Sequence, residues 1–284
     1  MKKYIYTVNP DGQSAPAKLL GLVGSGKRVL EVGCASGVQT KILKEQQGCT
    51  VTGIEIDAVA AESAAKYCDS IIVGDLETLD LDTSIGNQRF DVIMIADVLE
   101  HLRNPGRVLG ILKRYLNADG FILASIPNVV HAGLILEMAN GRFDYRPYGL
   151  LDDTHLRFFT LKSVMRLFEE CGLQVGSVDR VLQSVEESEF CQHPLSSAES
   201  AILEYLKLNN PEWKTYQFIV KATSTAQNVI TASHTELELQ DKLRDLELTN
   251  QAMAQQLRSL NGQITWLESR SGYKTYKRLK SLFS

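Results

Sequence analysis

The stretch Val29-Leu-Glu-Val-Gly-Cys-Ala-Ser-Gly37 decides how this chain folds. An apolar run ends in a loop punctuated by Gly33 and Gly37, and a helical pattern begins at once behind it. A strand, glycine loop and helix in that order let backbone approach a ligand closely at the carboxyl edge of a doubly wound sheet. The pattern is E-x-G-x-A-x-G, unlike the G-x-G-x-x-G that sets a helix N-terminus against a pyrophosphate. Glu31 is a poor neighbour for a diphosphate and suits a cationic ligand. Just upstream, Gly21-Leu-Val-Gly-Ser-Gly26-Lys27-Arg28 imitates a phosphate loop. It lacks the Ser/Thr that binds magnesium and precedes a strand when it should follow one, so it reads as a helix-ending turn.

Outward from this unit, short β-branched runs alternate with stretches whose apolar residues recur every three to four positions. That is the pattern of a parallel sheet with helices on both faces. Strands are read at 28–33, 50–56, 70–73, 90–96, 120–126, 173–181 and 216–223. Helices are read at 38–47, 58–68, 105–116, 161–171 and 197–208. Gly172 and the run Asn117-Ala-Asp-Gly120 are helix stops.

Four successive strands finish in acidic or glycine-rich turns on one rim. After the Glu31 loop come Gly53-Ile-Glu55-Ile-Asp57, Val73-Gly-Asp75-Leu76 and Ala96-Asp97-Val-Leu-Glu100-His101. Glu55 lies 22 residues beyond Gly33, where a carboxylate grips ribose hydroxyls, so a nucleoside is implied. Each acid has a plainer reading alone: Glu55 as a turn acid, Asp57 as a helix N-cap, Asp75 as the cap of a turn. Their joint occurrence at consecutive strand ends favours a site.

These motifs resemble the class I S-adenosylmethionine-dependent methyltransferases. LEVGCASG is similar to that family's first motif, GIEID to its second, GDLE to its third and FDVIMIADVLEHL to its fourth, over about residues 25–225. The resemblance implies an α/β fold, a doubly wound, Rossmann-like seven-stranded mostly parallel sheet with flanking helices, and S-adenosyl-L-methionine as methyl donor. It implies that Gly33 and Gly37 line the methionine moiety, that Glu31 helps place its amino group, and that Glu55 holds the ribose. Ile56 would pack on adenine, and Asp75 with Leu76 would read the adenine edge. Cys34, Ala35, Ala96 and Asp97 complete the donor site. Ala35 stands where many members have glycine; tighter packing without loss of function is expected.

The long excursion after the fifth strand reads as active-site cover. It carries Ile126-Pro-Asn-Val-Val-His131, Gly141-Arg-Phe-Asp-Tyr145 and residues 149–160. These segments resemble methyltransferases of bacterial surface-polysaccharide gene clusters and, more distantly, the O-methyltransferases of quinone biosynthesis. That implies a hydroxyl acceptor on a saccharide, in O-antigen-like polysaccharide biosynthesis, with a quinol or other phenol as the alternative. An alcohol must lose its proton near the transition state, and histidine is the usual base near neutral pH. His155 is the leading candidate and His101 the second, while His193 and His234 read as surface residues. Tyr145, Arg146 and Tyr148 are candidate acceptor contacts. Alternatives stay open here: His155 as a buried residue fixing the lid, His101 as a strand-end packing residue, and Phe143, Tyr145 and Phe158 as lid packing. No metal constellation is expected, because the rim acids are assigned to the donor; Asp97 and Asp152 alone keep that role open.

Past Thr223 the composition turns polar, and a boundary falls near 225. Residues 1–225 form the donor-binding domain, 226–236 a linker, 237–269 a coiled coil and 270–284 a basic amphipathic tail. The heptad seam runs Leu239, Leu243, Leu246, Asn250, Met253, Leu257, Leu260, Ile264 and Leu267. A lone polar Asn250 at an a position favours a two-stranded homo-oligomer, a single helix packed on its own domain being the alternative. The tail holds five basic residues and no acid, which leaves 25 basic against 34 acidic residues in the body. An acidic body argues against nucleic acid as a partner. The tail, with Tyr273, Tyr276, Leu279 and Phe283 among its cations, fits an anionic membrane surface or polysaccharide-assembly enzymes; a solvated helix end is the plainer reading. A scaffold role for the coiled coil, with a regulatory donor site, is a third reading. The first residues, MKKYIYTVNPDG, lack a secretory h-region, and no apolar run is long enough to span a membrane. Five cysteines without a CxxC pair indicate neither a disulfide framework nor zinc. The expected location is the cytoplasm, with peripheral attachment at the inner membrane face if the tail binds lipid.

Overall fold

The computed structural model describes residues 8–9, 12–190, 193–224 and Met253. In chain order it holds α1 (Ala15–Val23), β1 (Arg28–Val32), α2 (Val38–Glu45), β2 (Thr50–Glu55), α3 (Ala58–Ala64), β3 (Ser70–Val73), α4 (Leu81–Ile85) and β4 (Phe90–Ala96). There follow α5 (Pro105–Leu112), β5 (Leu116–Pro127), α6 (Ala132–Ala139), α7 (Leu161–Glu170), β6 (Leu173–Leu182), α8 (Ser197–Asn209) and β7 (Thr215–Ser224), with 3-10 turns at Leu99–His101 and Lys113–Tyr115. The strands form one sheet in the order β3-β2-β1-β4-β5-β7-β6. The first five of these run parallel, and β7 is antiparallel to both β5 and β6. The seven-stranded, mostly parallel sheet expected from the sequence is thus present.

A strand buried on both faces reads as a nearly unbroken apolar run, and β4 (FDVIMIA) is such a strand. Its side chains alternate between two cores. Val92 and Met94 pack with Leu19, Leu20 and Leu43 from α1 and α2, while Ile93 and Ile95 join Leu109, Leu112, Val164 and Phe168 from α5 and α7. Helix starts carry their own signals. Asp57 accepts the amides of Val59 and Ala60, and Thr160–Ser163 and Ser196–Glu199 form capping boxes.

Two helices were not expected, and α1 was anticipated only by the helix-ending turn read at 21–28: it stops at Gly24, Ser14 caps it and Pro16 sits in its first turn. α4 is five residues long, too short for a period to emerge. α6 is apolar at most positions and shows no stripe. The helix expected over 58–68 ends at Ala64, where the amides of Tyr67 and Cys68 turn back onto its carbonyl. Asn117-Ala-Asp-Gly120 does not lie outside a strand; β5 absorbs it, and the pairing with β4 jumps from Phe90↔Leu116 to Val92↔Phe121. Such an irregularity takes up extra residues without ending the strand.

β7 closes at Ser224. The linker, the tail and, apart from Met253, the coiled coil expected from the sequence lie outside the described residues. Among the described residues no helix is long and apolar enough to cross a membrane. Phe168, fully buried between α7 and the sheet, sets the strength of that face: Phe168→Ala should cost about 3–5 kcal/mol, read as a lower urea midpoint with an unchanged slope.

Candidate active site

The connections from β1 lead toward β2 and β3, and those from β4 lead toward β5, so the chain order reverses between neighbours β1 and β4. Loops leaving such a reversal diverge and leave a crevice at the carboxyl ends of the strands. A cavity of about 800 Å³ occupies it. Its walls come from the ends of all five parallel strands, from Pro16 and Leu19 on α1, from residues 148–155 of the cover, and from Tyr216 and Gln217 on β7.

The loop after β1 is bent by backbone that side chains resist. Gly33 has φ 73°, and a methyl group there would meet Val98 Cγ2 at 2.6 Å. Ala35 also stands in the left-handed region, at φ 47°, which costs an L-residue about 1–2 kcal/mol. Glu55 holds it there: its Oε2 accepts the Ala35 amide at 2.8 Å and its Oε1 the Asp57 amide at 2.9 Å. A carboxylate has about four acceptor sites, so Glu55 keeps capacity for hydroxyl groups in the cavity. Ile56 beside it is 68% exposed, an apolar face open to a planar base. The cavity lining contains no Lys or Arg among the described residues. Acceptors, an apolar face and no cation fit a positively charged nucleoside such as S-adenosylmethionine and do not fit a diphosphate.

At the other end, Asp97 again has a positive φ, 52°. Its carboxylate accepts from Ser125 Oγ at 2.6 Å and from Gln217 Nε2 at 2.9 Å. Burial, offset in part by these bonds, pushes its pKa above the usual carboxylate value. Three residues on, Glu100 is buried, and neither of its carboxyl oxygens has a hydrogen-bond partner. Burial, then Asp97 and Asp152, push its pKa well above the usual value, which favours the protonated form. The Glu100 carbonyl accepts the amides of Leu156 and Arg157 at 2.8 and 2.9 Å, which pins the cover segment to the turn after β4. His155 consequently lies against His101, with ring centroids 4.8 Å apart. His155 Nδ1 faces the Leu150 carbonyl at 3.2 Å and His101 Nδ1 the Thr154 carbonyl at 3.2 Å. A carbonyl only accepts, so each Nδ1 carries the proton and each Nε2 is the basic nitrogen. One ligand atom from each of Glu100, His101 and His155 lies within 4.8 Å of the others. The fold thereby assembles a candidate metal centre that no local spacing announced.

The family model of the methyltransferase domain matches residues 11–178. This chain belongs to that family. Among relatives, the ubiquinone biosynthesis O-methyltransferase of Pasteurella multocida is 28% identical over 143 residues, covering 43% of this chain and 59% of that protein. That of Pseudomonas aeruginosa is 26% identical over 159 residues, covering 51% and 67%. The chain spans about half the length of the first such relatives, 47% for the one from Actinobacillus pleuropneumoniae. Of solved structures, the magnesium protoporphyrin IX methyltransferase from Synechocystis with bound SAH superposes with a TM-score of 0.51 at 14% identity, covering 75% of this chain and 83% of that one. A SAM-dependent methyltransferase from Archaeoglobus fulgidus gives 0.51 at 17%, covering 73% and 91%. At such identities the likeness shows the fold, that of S-adenosylmethionine-dependent methyltransferases.

Of the residues named from sequence, Gly33, Ala35, Glu55, Ile56, Leu76, Ala96, Asp97, His101, His155 and Tyr148 border the cavity of the methyltransferase domain. Gly37 stands one shell out, at the start of α2, with Ala64 against it. Asp75 turns its Oδ1 to the Glu77 amide. Cys34 points under the loop and is buried. Glu31 is also under the loop and accepts from Thr40 Oγ1 at 2.6 Å. Tyr145 is exposed and packs edge-on to Phe143, and Arg146 bonds the Glu189 carbonyl and borders a second cavity, away from the first. Glu100, Ser125, Asp152 and Gln217 were not among the residues assigned to the site. Glu100 adjoins His101 in sequence, whereas Gln217 arrives through the pairing Pro127↔Gln217, for which no local signal exists.

Burial raises the Glu31 pKa to about 8, against the opposing Thr40 bond. The folded protein therefore takes up a proton there between the unfolded value of 4.5 and about 8, and stability falls as pH rises through that window. Glu31→Gln removes the loss: from pH 5 to pH 9 the variant should gain on the wild type by about 4 kcal/mol, measured by urea unfolding across pH.

Proposed function

We propose that this chain is an S-adenosylmethionine-dependent O-methyltransferase acting on the hydroxyl of a small phenolic or quinol-like molecule. The observation that carries the reading is the Glu100, His101 and His155 group at the end of the donor cavity opposite Ile56. The names of the relatives, ubiquinone biosynthesis O-methyltransferases, support the phenolic acceptor over the saccharide expected first from sequence. Two of the three residues chosen for sugar contact, Tyr145 and Arg146, lie away from the cavity.

The donor, when bound, supplies the electrophilic methyl group. Glu55 orients it through its hydroxyls, and the cover residues Leu150 and Tyr148 exclude water from the reacting end. His155 Nε2 takes the proton of the acceptor oxygen as that oxygen becomes nucleophilic, and the Leu150 carbonyl fixes the tautomer that makes this possible. His101, held by Thr154 and through it by Asp152, meets the same ring in a T-shaped contact and positions it. Glu100, buried beside the two imidazoles, places a carboxyl group next to the charge that forms on His155.

A second reading rests on the same three groups: Glu100, His101 and His155 would hold a divalent cation that draws the acceptor oxygen in as an alkoxide. Self-association through 237–269, contact of 270–284 with an anionic surface and a cytoplasmic place belong to the proposal as extensions, and rest on sequence alone.

His155→Ala should lose turnover on a catechol acceptor by about 100-fold or more while binding S-adenosylhomocysteine as before; full activity would reject His155 as base. Glu55→Ala should weaken that binding by at least about tenfold, read by calorimetry. Exhaustive chelation separates the two acceptor readings: retained turnover supports the base, and loss restored by a divalent salt supports the cation.

A further inference from the structure

The donor loop rests on a pair of thiols that the methyl-transfer reading leaves unused. Cys34 lies between Gly33 and Ala35, with its amide bonded to the Ile54 carbonyl at 3.2 Å and its side chain only 3% exposed. Cys68 follows α3 and is partly exposed. Both sulfurs stand against Gly53 of β2, and hydrogen bonding between them shifts their pKa values in opposite directions. A methyl group at position 53 would meet Cys34 Sγ at 2.8 Å and Cys68 Sγ at 2.9 Å. Glycine inside a strand forfeits packing and order, and its presence marks a place where other atoms need the space. At Gly53 those atoms are the two sulfurs. The other described cysteines sit elsewhere: Cys49 Sγ donates to the Gly24 carbonyl and Cys171 Sγ to the Gly106 carbonyl.

We propose that Cys34 and Cys68 form a peroxide-responsive dithiol, whose oxidation to a disulfide closes the donor site. The chemistry divides between the partners. Cys68, reachable from solvent, is the nucleophile: the Cys34 thiol donates to its sulfur, the Gly53 amide and Thr40 add to that, and together they lower its pKa against the effect of burial. The Cys68 thiolate attacks hydrogen peroxide, forming a sulfenic acid and releasing hydroxide. Cys34 sulfur then attacks the Cys68 sulfur; the S–OH bond breaks, and the departing oxygen leaves as water with the Cys34 proton. Two thiols are oxidised by two electrons, and one peroxide is reduced to two waters. Cys34, whose pKa is pushed up by its hydrogen bond to Cys68 and by burial, serves as the resolving thiol.

The covalent bond is shorter than the hydrogen bond it replaces, so it draws Cys34 toward the end of α3. The flanking backbone is the strained part of the site. Gly33 and Ala35 are both left-handed, and the Ala35 amide is the one Glu55 holds. Moving Cys34 breaks that hold and misplaces the Glu55 carboxylate.

The test uses the full chain, reduced and then treated with hydrogen peroxide. Intact mass and peptide mapping should show loss of two hydrogens and a Cys34–Cys68 linkage. Calorimetry should show S-adenosylhomocysteine binding weakened by about tenfold or more, restored by dithiothreitol. Cys68→Ser should bind as the reduced wild type does and keep that affinity after peroxide. Peroxide that leaves both thiols free, or a linkage that leaves affinity unchanged, overturns the proposal. The affinity readout rests on the donor-site reading and the linkage does not, so reduced protein that forms the linkage without binding S-adenosylhomocysteine refutes that reading instead.

Discussion

One carboxylate ties the donor end of this molecule together. Glu55, at the last position of β2, receives the amides of Ala35 and Asp57, so two loops from neighbouring strands meet on one side chain. Without that acceptor nothing would offset the left-handed backbone at Ala35, and a residue without a glycine's freedom could not stay there. The same carboxylate faces the cavity. Loop geometry and ligand recognition therefore depend on one group, and each constrains the other. The bond that holds Ala35 is short and partly shielded from water.

The reacting end follows the opposite logic. Glu100 and Asp152 are buried carboxyl groups, with Asp97 at their edge, an arrangement that disfavours charge on the buried pair. Asp97 is stabilised by Ser125 and Gln217. Glu100 has no such help, and its pKa is raised well above the usual carboxylate value. A group kept neutral by burial answers strongly to any positive charge placed beside it, whether imidazolium or metal. The pairing of Glu100 with two histidines locked in the same tautomer is thus more than a packing arrangement. It is a place where a proton or a cation changes the energies of several groups at once.

The cover that brings His155 into this volume is held by the backbone. Leu156 and Arg157 bond the Glu100 carbonyl, and Val129 bonds the Phe159 carbonyl. Leu134, Leu150, Leu151 and Phe190 form a small apolar cluster beneath it. The aromatic residues Tyr145, Phe143 and Phe158 pack edge-on against one another, outside the cavity lining. The donor and acceptor ends therefore stand on different supports, sheet edge and cover, and a change in one need not disturb the other.

The sequence by itself determined the sheet and named most of the residues proposed for the donor, seven of which border the cavity. Strands buried on both faces must be apolar throughout, glycine must stand where backbone turns left-handed against a neighbour, and a helix start calls for an acceptor such as Asp57. Each of these demands is satisfied by residues close together in the chain, so each leaves a local trace. Glu55, Gly33 and Ile56 could be named for that reason. The tertiary structure alone decided the acceptor end. Gln217 reaches Asp97 only because β7 runs antiparallel beside β5, His155 meets His101 only because the cover folds back on the turn after β4, and Cys34 finds Cys68 only across Gly53. Arg146 shows the reverse case, a residue plausible in sequence that an ion pair with Glu137 and the Glu189 carbonyl turn away. Contacts between distant segments are fixed by the packing of whole elements, and no spacing within a single segment records which partner it will meet.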